Sequence, residues 1–283
     1  MCDWLLNLPV VWMAVVVFAA TYLVAAGIYG VVMSLVVTGR AQALQAVSPG
    51  MLPTLGILFA LLVGFIAVEV WTNFDKAKAA VATEASALRA VVLLAGIFPE
   101  EQRTRIYALI NRHIDEAVTK EWPEMAQQRM TLSTLPMALI EQLHDTLALH
   151  PADDSQRAAQ AEMVKALHTA LDARRQRIVI SESTIGTVKW LGILLQGLCI
   201  LIAIAMVHSD NRLTCGITLT LFATGIALSV LLIAAYSRPF ISVGPELLKQ
   251  VIASETAMET TRSTWSASTS VGPRPSHSSA CEK

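Results

Sequence analysis

The first candidate for chemistry is Glu69, the first charged residue after Arg40, at the end of a long apolar run. A carboxylate in a membrane-spanning segment is costly and is by default a candidate for an ion path. In a ring of subunits, one Glu69 from each chain would form a ring of negative charge that favours cations. The alternative is that Glu69 lies at the headgroup boundary beside Trp71 and only extends its carboxylate to water.

The residues around Glu69 could line the same path. An apolar stripe above it could form a hydrophobic constriction that gates by dewetting, and Asn73 adds a polar group below it. An apolar stripe at helical spacing also fits plain packing or lipid contact, so both interpretations stay open. The predicted pore-lining residues are Phe59, Leu62, Phe65, Ile66, Glu69 and Asn73.

A second carboxylate, Glu84, lies among small residues from Ala79 to Ala85. Small side chains permit close approach of a neighbouring helix, and a carboxylate enclosed in this way requires a partner for its charge. We expect a structural ion pair between Glu84 and a basic group, either Arg89 or a residue of another helix.

The sequence carries no recognisable catalytic site. It contains no nucleotide-binding glycine loop, no HExxH and no GxSxG. Neighbouring acids such as Glu100 and Glu101 point apart on a helix, which fits caps and solvated faces better than catalysis. The six histidines do not pair at ligand spacing and are expected at surfaces or interfaces. We therefore expect no catalytic residues and no enzyme.

Cofactors, metals and nucleic acids are not indicated either. The four cysteines, Cys2, Cys199, Cys215 and Cys281, lie far apart and show neither CxxC nor zinc spacing. The formal net charge is -1, and no basic patch with interleaved aromatic residues occurs. The sequence therefore predicts neither a metal or cofactor site nor a nucleic-acid interface.

Long apolar helices must position these residues. The sequence is 54% hydrophobic and only 15% charged, and four long runs contain no Asp, Glu, Lys or Arg. A hydrocarbon core about 30 Å thick requires about 20 apolar residues in a helix. The pattern predicts an all-α integral membrane protein with four transmembrane helices and a cytoplasmic helical domain between the second and third. The predicted spans are 10–36, 52–72, 189–208 and 213–236.

The orientation follows from the basic residues near the ends of the spans. The side that holds both termini and the central segment has eight of them, and the opposite side has only Arg40 and Arg212. We therefore predict that both termini and the central domain are cytoplasmic. The eight residues are Lys76, Lys78, Arg174, Arg175, Arg177, Lys189, Arg238 and Lys249.

The second span is expected to continue beyond the lipid as one helix. No proline occurs between Thr54 and Phe98, and an apolar stripe persists beyond the membrane segment. We therefore predict an uninterrupted helix that reaches Phe98. Four regions follow: spans one and two in 1–72, the cytoplasmic helical domain in 73–188, spans three and four with a juxtamembrane segment in 189–250, and a disordered tail in 251–283.

Two local signals lie within the predicted cytoplasmic domain. Pro123 is expected to end a helix after Trp122, because the residue before proline avoids helical geometry. Asp153 or Asp154 is expected to cap the last helix of the domain.

Four short motifs, taken together, resemble one known family. The sequence is similar, over roughly residues 52–250, to the bacterial bestrophin-like membrane proteins, which are distantly similar to bestrophin channels. The motifs are a glycine-rich apolar span, Glu-Ala, Glu-Trp-Pro and, after the fourth span, Arg-Pro-Phe. The residues that carry them are Gly56 to Phe65, Glu84 with Ala85, Glu121 with Trp122 and Pro123, and Arg238 with Pro239 and Phe240.

The resemblance implies an ion channel subunit in the inner cell membrane. It implies a homo-oligomer, a pentamer, with an axial pore lined by the second span and its cytoplasmic continuation, and with the lipid bilayer and inorganic ions as partners. Two positions depart from the family pattern: His113 replaces an expected aromatic residue and Ser237 an expected acid. The acidic calcium-binding run of bestrophins is missing, so calcium gating is not indicated. The alternative is a non-conducting scaffold or signalling component that binds a partner through its cytoplasmic helices.

Overall fold

The protein is helical throughout the residues that the computed structural model describes, which are 9–37, 50–183 and 185–251. Within these ranges no β-strand is present. Cys2, Arg40, Cys281 and, from residue 252 onwards, the predicted tail lie outside them. The helices are α1 (Val10–Val37), α2 (Met51–Ala95), α3 (Glu100–Glu116), α4 (Trp122–Ala126), α5 (Met137–Leu147), α6 (Asp154–Glu182), α7 (Thr187–Val207), α8 (Arg212–Tyr236) and α9 (Pro239–Ser242).

Four helices, α1, α2, α7 and α8, are long and apolar enough to span a membrane. They form because each contains a run without charged residues, and a helix satisfies its own backbone hydrogen bonds where water is absent. Their ends lie within a few residues of the predicted spans, except that α2 continues far past residue 72. The prediction of an all-α membrane protein with four transmembrane helices is confirmed.

The chain divides into two compact units, and α2 and α6 each contribute residues to both. This division does not depend on the sides of a membrane, so the four predicted regions and the cytoplasmic placement of 73–188 stay predictions. Within the described residues, the first unit comprises 9–37, 50–80, 121–134, 176–183 and 185–244, and the second comprises 81–120, 135–175 and 245–251.

In the first unit, α8 packs against α1 and α7. Gly197 lets α7 lie close to α8, since a Cβ atom at this position would stand 3.3 Å from Ile226 Cγ2. Small residues at such contacts allow the close van der Waals packing that holds helices together in lipid. The buried positions of α8 include Cys215, Ala223, Ala227 and Ala234.

In the second unit, α2 buries one stripe of residues that are three or four positions apart, while α3 packs against α5. The hydroxyl group of Tyr107 on α3 donates a hydrogen bond to the Val92 carbonyl oxygen of α2, at 3.3 Å. The regular spacing is typical of an amphipathic helix facing a core. The stripe consists of Val81, Glu84, Leu88, Val91 and Ala95.

The continuity of α2 is confirmed, but its predicted end at Phe98 is wrong by three residues. The helix ends at Ala95 after 45 residues, a length of about 68 Å. The N–H groups of Gly96, Ile97 and Phe98 donate to carbonyl oxygens three residues earlier, which tightens the backbone into a turn. Pro99 follows, and proline disfavours helical geometry at the residue before it.

The prediction that Pro123 ends a helix after Trp122 is also wrong. A π-helical segment, Ala117–Glu121, follows α3, and α4 then runs from Trp122 to Ala126. Pro123 is therefore the second residue of α4, and the chain stays helical across it.

Asp153 caps α6. It is one of the two residues, Asp153 and Asp154, that the sequence predicts for this role. Its Oδ1 accepts the backbone N–H of Gln156 at 2.8 Å and the Ser155 hydroxyl at 2.7 Å. The backbone hydrogen bond, and to a smaller extent the Ser155 hydroxyl, lower the pKa of the Asp153 carboxyl. Both bonds favour its charged form.

Candidate functional site

Glu69 forms an ion pair with Lys189, the third residue of α7. Lys189 Nζ lies 2.6 Å from both carboxylate oxygens of Glu69. The Lys189 and Glu69 side chains are 43% and 42% exposed, so the pair is half open to its surroundings. The negative charge predicted to face an ion path is thus neutralised within the same chain.

Aromatic side chains follow Glu69 along α2 and contact the end of α8. Trp71 stacks on Tyr236 with ring centroids 5.3 Å apart, and Phe74 meets the same ring edge-on at 5.3 Å. Lys78 Nζ lies 4.5 Å from the centre of the Phe74 ring. Aromatic and basic side chains together are typical of the boundary between lipid and water, which favours the interfacial interpretation of Glu69.

Five of the six predicted pore-lining residues are partly or fully buried within the chain. Ile66 is buried, and Phe59 and Leu62 pack against the same apolar core. Phe59 Cε2 and Leu62 Cδ2 lie 3.8 Å and 3.7 Å from the points where Cβ atoms of Gly197 and Gly192 on α7 would stand. Glu69 pairs with α7, and Asn73 is partly buried.

Phe65 is the exception, because 73% of its surface is exposed. It belongs to a face of α2 that the described residues leave uncovered, at a spacing of three and four positions. Asp75 on this face makes no ion pair with any residue of the described ranges. We call this face the open stripe of α2: Leu58, Leu61, Phe65, Val68, Thr72 and Asp75.

Glu84 is fully buried in the second unit, and His113 of α3 is its partner. His113 Nε2 lies 2.9 Å from Glu84 Oε1, and the two residues are 1% and 0% exposed. The predicted partner from another helix is therefore present, whereas Arg89 is exposed. The histidines are predicted at surfaces or interfaces, and His113 lies buried at the interface of α3 with α2.

The Glu-Trp-Pro and Arg-Pro-Phe motifs come together in the first unit. The Trp122 indole N–H donates to the Val243 carbonyl oxygen at 3.1 Å, and its ring meets Phe240 edge-on at 5.7 Å. Arg238 and Pro239, which precede Phe240 in the sequence, are buried. Pro123 is exposed.

Arg177 joins the residues around Trp122, although neither sequence motif contains it. We call this group the Trp122 cluster: Glu121, Trp122, Arg177, Phe240 and Val243. Arg177 is fully buried, its Nη2 donates to Glu121 Oε2 at 2.9 Å, and its guanidinium lies 5.1 Å from the Trp122 ring centre. The signal for it was present: Arg177 continues the buried stripe of α6 that includes Leu167 and Ala170. Such a cluster binds the ends of distant segments together, and it offers no group to a substrate.

The described ranges contain no group of three or more His, Cys, Asp or Glu side chains that could hold a metal ion. Of the cysteines in these ranges, Cys215 is buried and Cys199 is exposed. The features that remain are paired charges, exposed apolar faces and a buried ion pair.

Comparison with known proteins identifies the family. Residues 9–243, from the residue before α1 to the residue after α9, match the Bestrophin-like domain. No curated protein and no solved structure matches the chain. The matched region contains all four transmembrane helices and both motifs of the Trp122 cluster, and it covers most of the sequence. The chain belongs to the bestrophin-like family of membrane proteins.

Proposed function

We propose that the protein is a subunit of an oligomeric ion channel in the cell membrane. In this proposal several copies, five by analogy with bestrophins, surround an axial pore lined by α2 and its continuation beyond the lipid. Membership of the bestrophin-like family supports the proposal.

The observation that carries the proposal is the open stripe of α2. Only 6% of the most apolar window of α2 is buried within the chain, compared with 33% in α7 and 39% in α8. A helix of about 68 Å is longer than anchoring in a hydrocarbon core of about 30 Å requires. A long helix with one face against its own chain and one face open suits the lining of a path between copies.

The order of side chains along the open stripe suits a gated cation path. Leu58, Leu61, Phe65 and Val68 would form an apolar constriction that conducts only when wetted. Thr72 and Asp75 follow at the end near the aromatic residues. A ring of Asp75 carboxylates would favour cations there.

Glu69 has a different place in this proposal from the one that its sequence position suggests. Because Lys189 neutralises it, Glu69 lies beside the path, and Asp75 supplies the net negative charge. Phe59, Leu62 and Ile66 support the constriction from behind by packing on the chain's own core, and Asn73 flanks Thr72.

We also propose that both termini and the predicted 73–188 domain face the cytoplasm. The basic asymmetry of eight residues against two supports this orientation. The aromatic group formed by Trp71, Phe74 and Tyr236 supports a membrane boundary at this level.

The first test is conduction and particle size. Purified protein in planar bilayers should carry current, and the detergent-solubilised particle should contain about five copies. The absence of flux in several salts and at several pH values contradicts the proposal. A monomer or a dimer favours the non-conducting scaffold, because four spans hardly enclose an aqueous path.

The second test separates the two carboxylates. Asp75→Asn should reduce the preference for cations, measured as the shift of the reversal potential in a salt gradient. The double change Glu69→Gln with Lys189→Gln is the matched control, since it removes the pair without altering the net charge and should change selectivity less. A larger shift for this double change than for Asp75→Asn contradicts this assignment of the path.

A further inference from the structure

A groove lies between α1 and α8 at the end of the first unit that is opposite to the Trp71 aromatic group along α8. Its volume is about 690 Å³. Apart from Tyr29 of α1, its lining comes from the first part of α8. The lining residues are Tyr29, Arg212, Leu213, Gly216, Ile217, Thr220 and Leu221.

The mouth of the groove carries one positive charge. Arg212 is exposed, and within the described residues its guanidinium makes no hydrogen bond or ion pair. The Tyr29 hydroxyl lies 3.5 Å from the Arg212 carbonyl oxygen, which places a second polar group at the same end. Asn211 Oδ1 accepts the backbone N–H groups of Leu213 and Thr214, so these donors at the start of α8 are already satisfied, and the guanidinium supplies the charge that a ligand would meet.

The length of the groove along α8 is about the thickness of one hydrocarbon leaflet of a bilayer. Leu221 lies nine positions after Arg212, a rise of about 14 Å in a helix. Half of a hydrocarbon core of about 30 Å is about 15 Å. The Tyr22 hydroxyl and Thr224 Oγ1 are 2.9 Å apart and join α1 to α8 just beyond this length.

The space within the groove depends on Gly216. A Cβ atom there would lie 4.0 Å from Tyr29 Cε2, which is ordinary contact, so the backbone tolerates a side chain. A large side chain at this position would instead occupy the room over the Tyr29 ring. Gly216 is thus a place where the groove is filled without a change of charge.

We propose that this groove binds one anionic phospholipid from the surrounding leaflet. The Arg212 guanidinium binds the phosphate through paired N–H groups, for which its planar fork is suited. One acyl chain lies along Gly216, Ile217 and Leu221 towards the centre of the bilayer. A small soluble anion would bind the guanidinium but would not cover the apolar lining. A phospholipid contacts both the charged mouth and the apolar lining of the groove. The proposal does not depend on whether the protein conducts ions.

Native mass spectrometry of the purified oligomer with added palmitoyl-oleoyl phosphatidylglycerol tests this site. Wild-type protein should retain this lipid more tightly than phosphatidylcholine of the same chains. Arg212→Gln should weaken retention of phosphatidylglycerol about tenfold, as expected for loss of a charge-assisted hydrogen bond, and Arg212→Lys should restore part of it. Gly216→Leu should weaken retention of both lipids. Arg157→Gln, at an exposed arginine outside the spans, is the matched control and should change neither.

Three results would overturn the proposal. The first is equal retention of phosphatidylglycerol by wild type and Arg212→Gln. The second is full displacement of the lipid by soluble glycerol phosphate, which assigns the site to a free anion. The third is a changed copy number in Gly216→Leu with lipid retention unaltered, which assigns the groove to contact between copies.

Discussion

Two carboxylates on the same helix, Glu69 and Glu84, meet basic partners in opposite surroundings. Glu69 pairs with Lys189 in the first unit, where both side chains are more than 40% exposed. Glu84 meets His113 in the second unit, where both are buried. The sequence gives each of them apolar or small neighbours, so their different environments arise from the helices that pack around them.

The Glu69 pair is therefore a contact that can open, whereas the Glu84 pair stabilises the fold. An exposed pair gains little, because water screens the attraction and two long side chains lose freedom. A buried pair is costly to break, because removal of one partner leaves the other polar group without its contact in a medium of low polarity. We therefore expect the Glu84 region to determine stability and the Glu69 region to tolerate change.

The largest expected effect is at the buried pair. Glu84→Ala should lower the free energy of unfolding by about 3 kcal/mol or more, measured by thermal or denaturant unfolding of the purified protein in detergent. Ser86→Ala, at an exposed position of the same helix, is the matched control. In a double-mutant cycle, Glu84→Ala with His113→Ala should cost less than the sum of the two single changes. Additive costs would show that the two side chains do not stabilise each other.

A smaller effect is expected at the Trp122 cluster. Trp122→Phe keeps the ring contact with Phe240 but removes the indole donor, which leaves the buried Val243 carbonyl without this hydrogen bond. The expected loss is about 1–2 kcal/mol in the free energy of unfolding. Trp71→Phe retains an aromatic ring against Tyr236 and should change stability less. Equal losses in the two variants would contradict the role of the indole hydrogen bond.

The smallest effect on stability is expected at the exposed pair. Glu69→Gln and Lys189→Gln should each cost at most about 1 kcal/mol, and less as the salt concentration rises. Unfolding curves at low and high salt measure this difference. A cost as large as that of Glu84→Ala, unchanged by salt, would remove the distinction between the two regions.

The sequence predicts the helices well because composition alone decides them. Charge-free runs of about 20 residues identify the four spans, and the absence of proline identifies the length of α2. The buried positions of α2 beyond the membrane are also predictable, because small and apolar residues alternate there with exposed ones such as Arg89. The burial of His113 is not predictable in this way, because an imidazole has no strong preference for surface or core.

The faces of the membrane segment of α2 could not be predicted in the same way. Nearly every residue there is apolar, so hydropathy does not distinguish a side chain that packs on α7 from one that faces outward. Ile66 and Phe65 are neighbours of the same character, yet one is 3% and the other 73% exposed. The pairing of Glu69 with Lys189, 120 residues away, likewise depends on tertiary packing. Asp75 follows the apolar run and resembles an ordinary surface charge, so the sequence alone does not distinguish it.

The most direct test of the account is the current carried by Phe65→Ala. Phe65 lies on the open stripe of α2, and removal of its ring should widen and wet the constriction. Single-channel recordings in planar bilayers should therefore show a higher conductance or open probability than wild type. Phe222→Ala, at a half-exposed phenylalanine of α8, is the matched control and should leave the current unchanged. Currents that respond to Phe222→Ala and not to Phe65→Ala would contradict a pore lined by this face of α2.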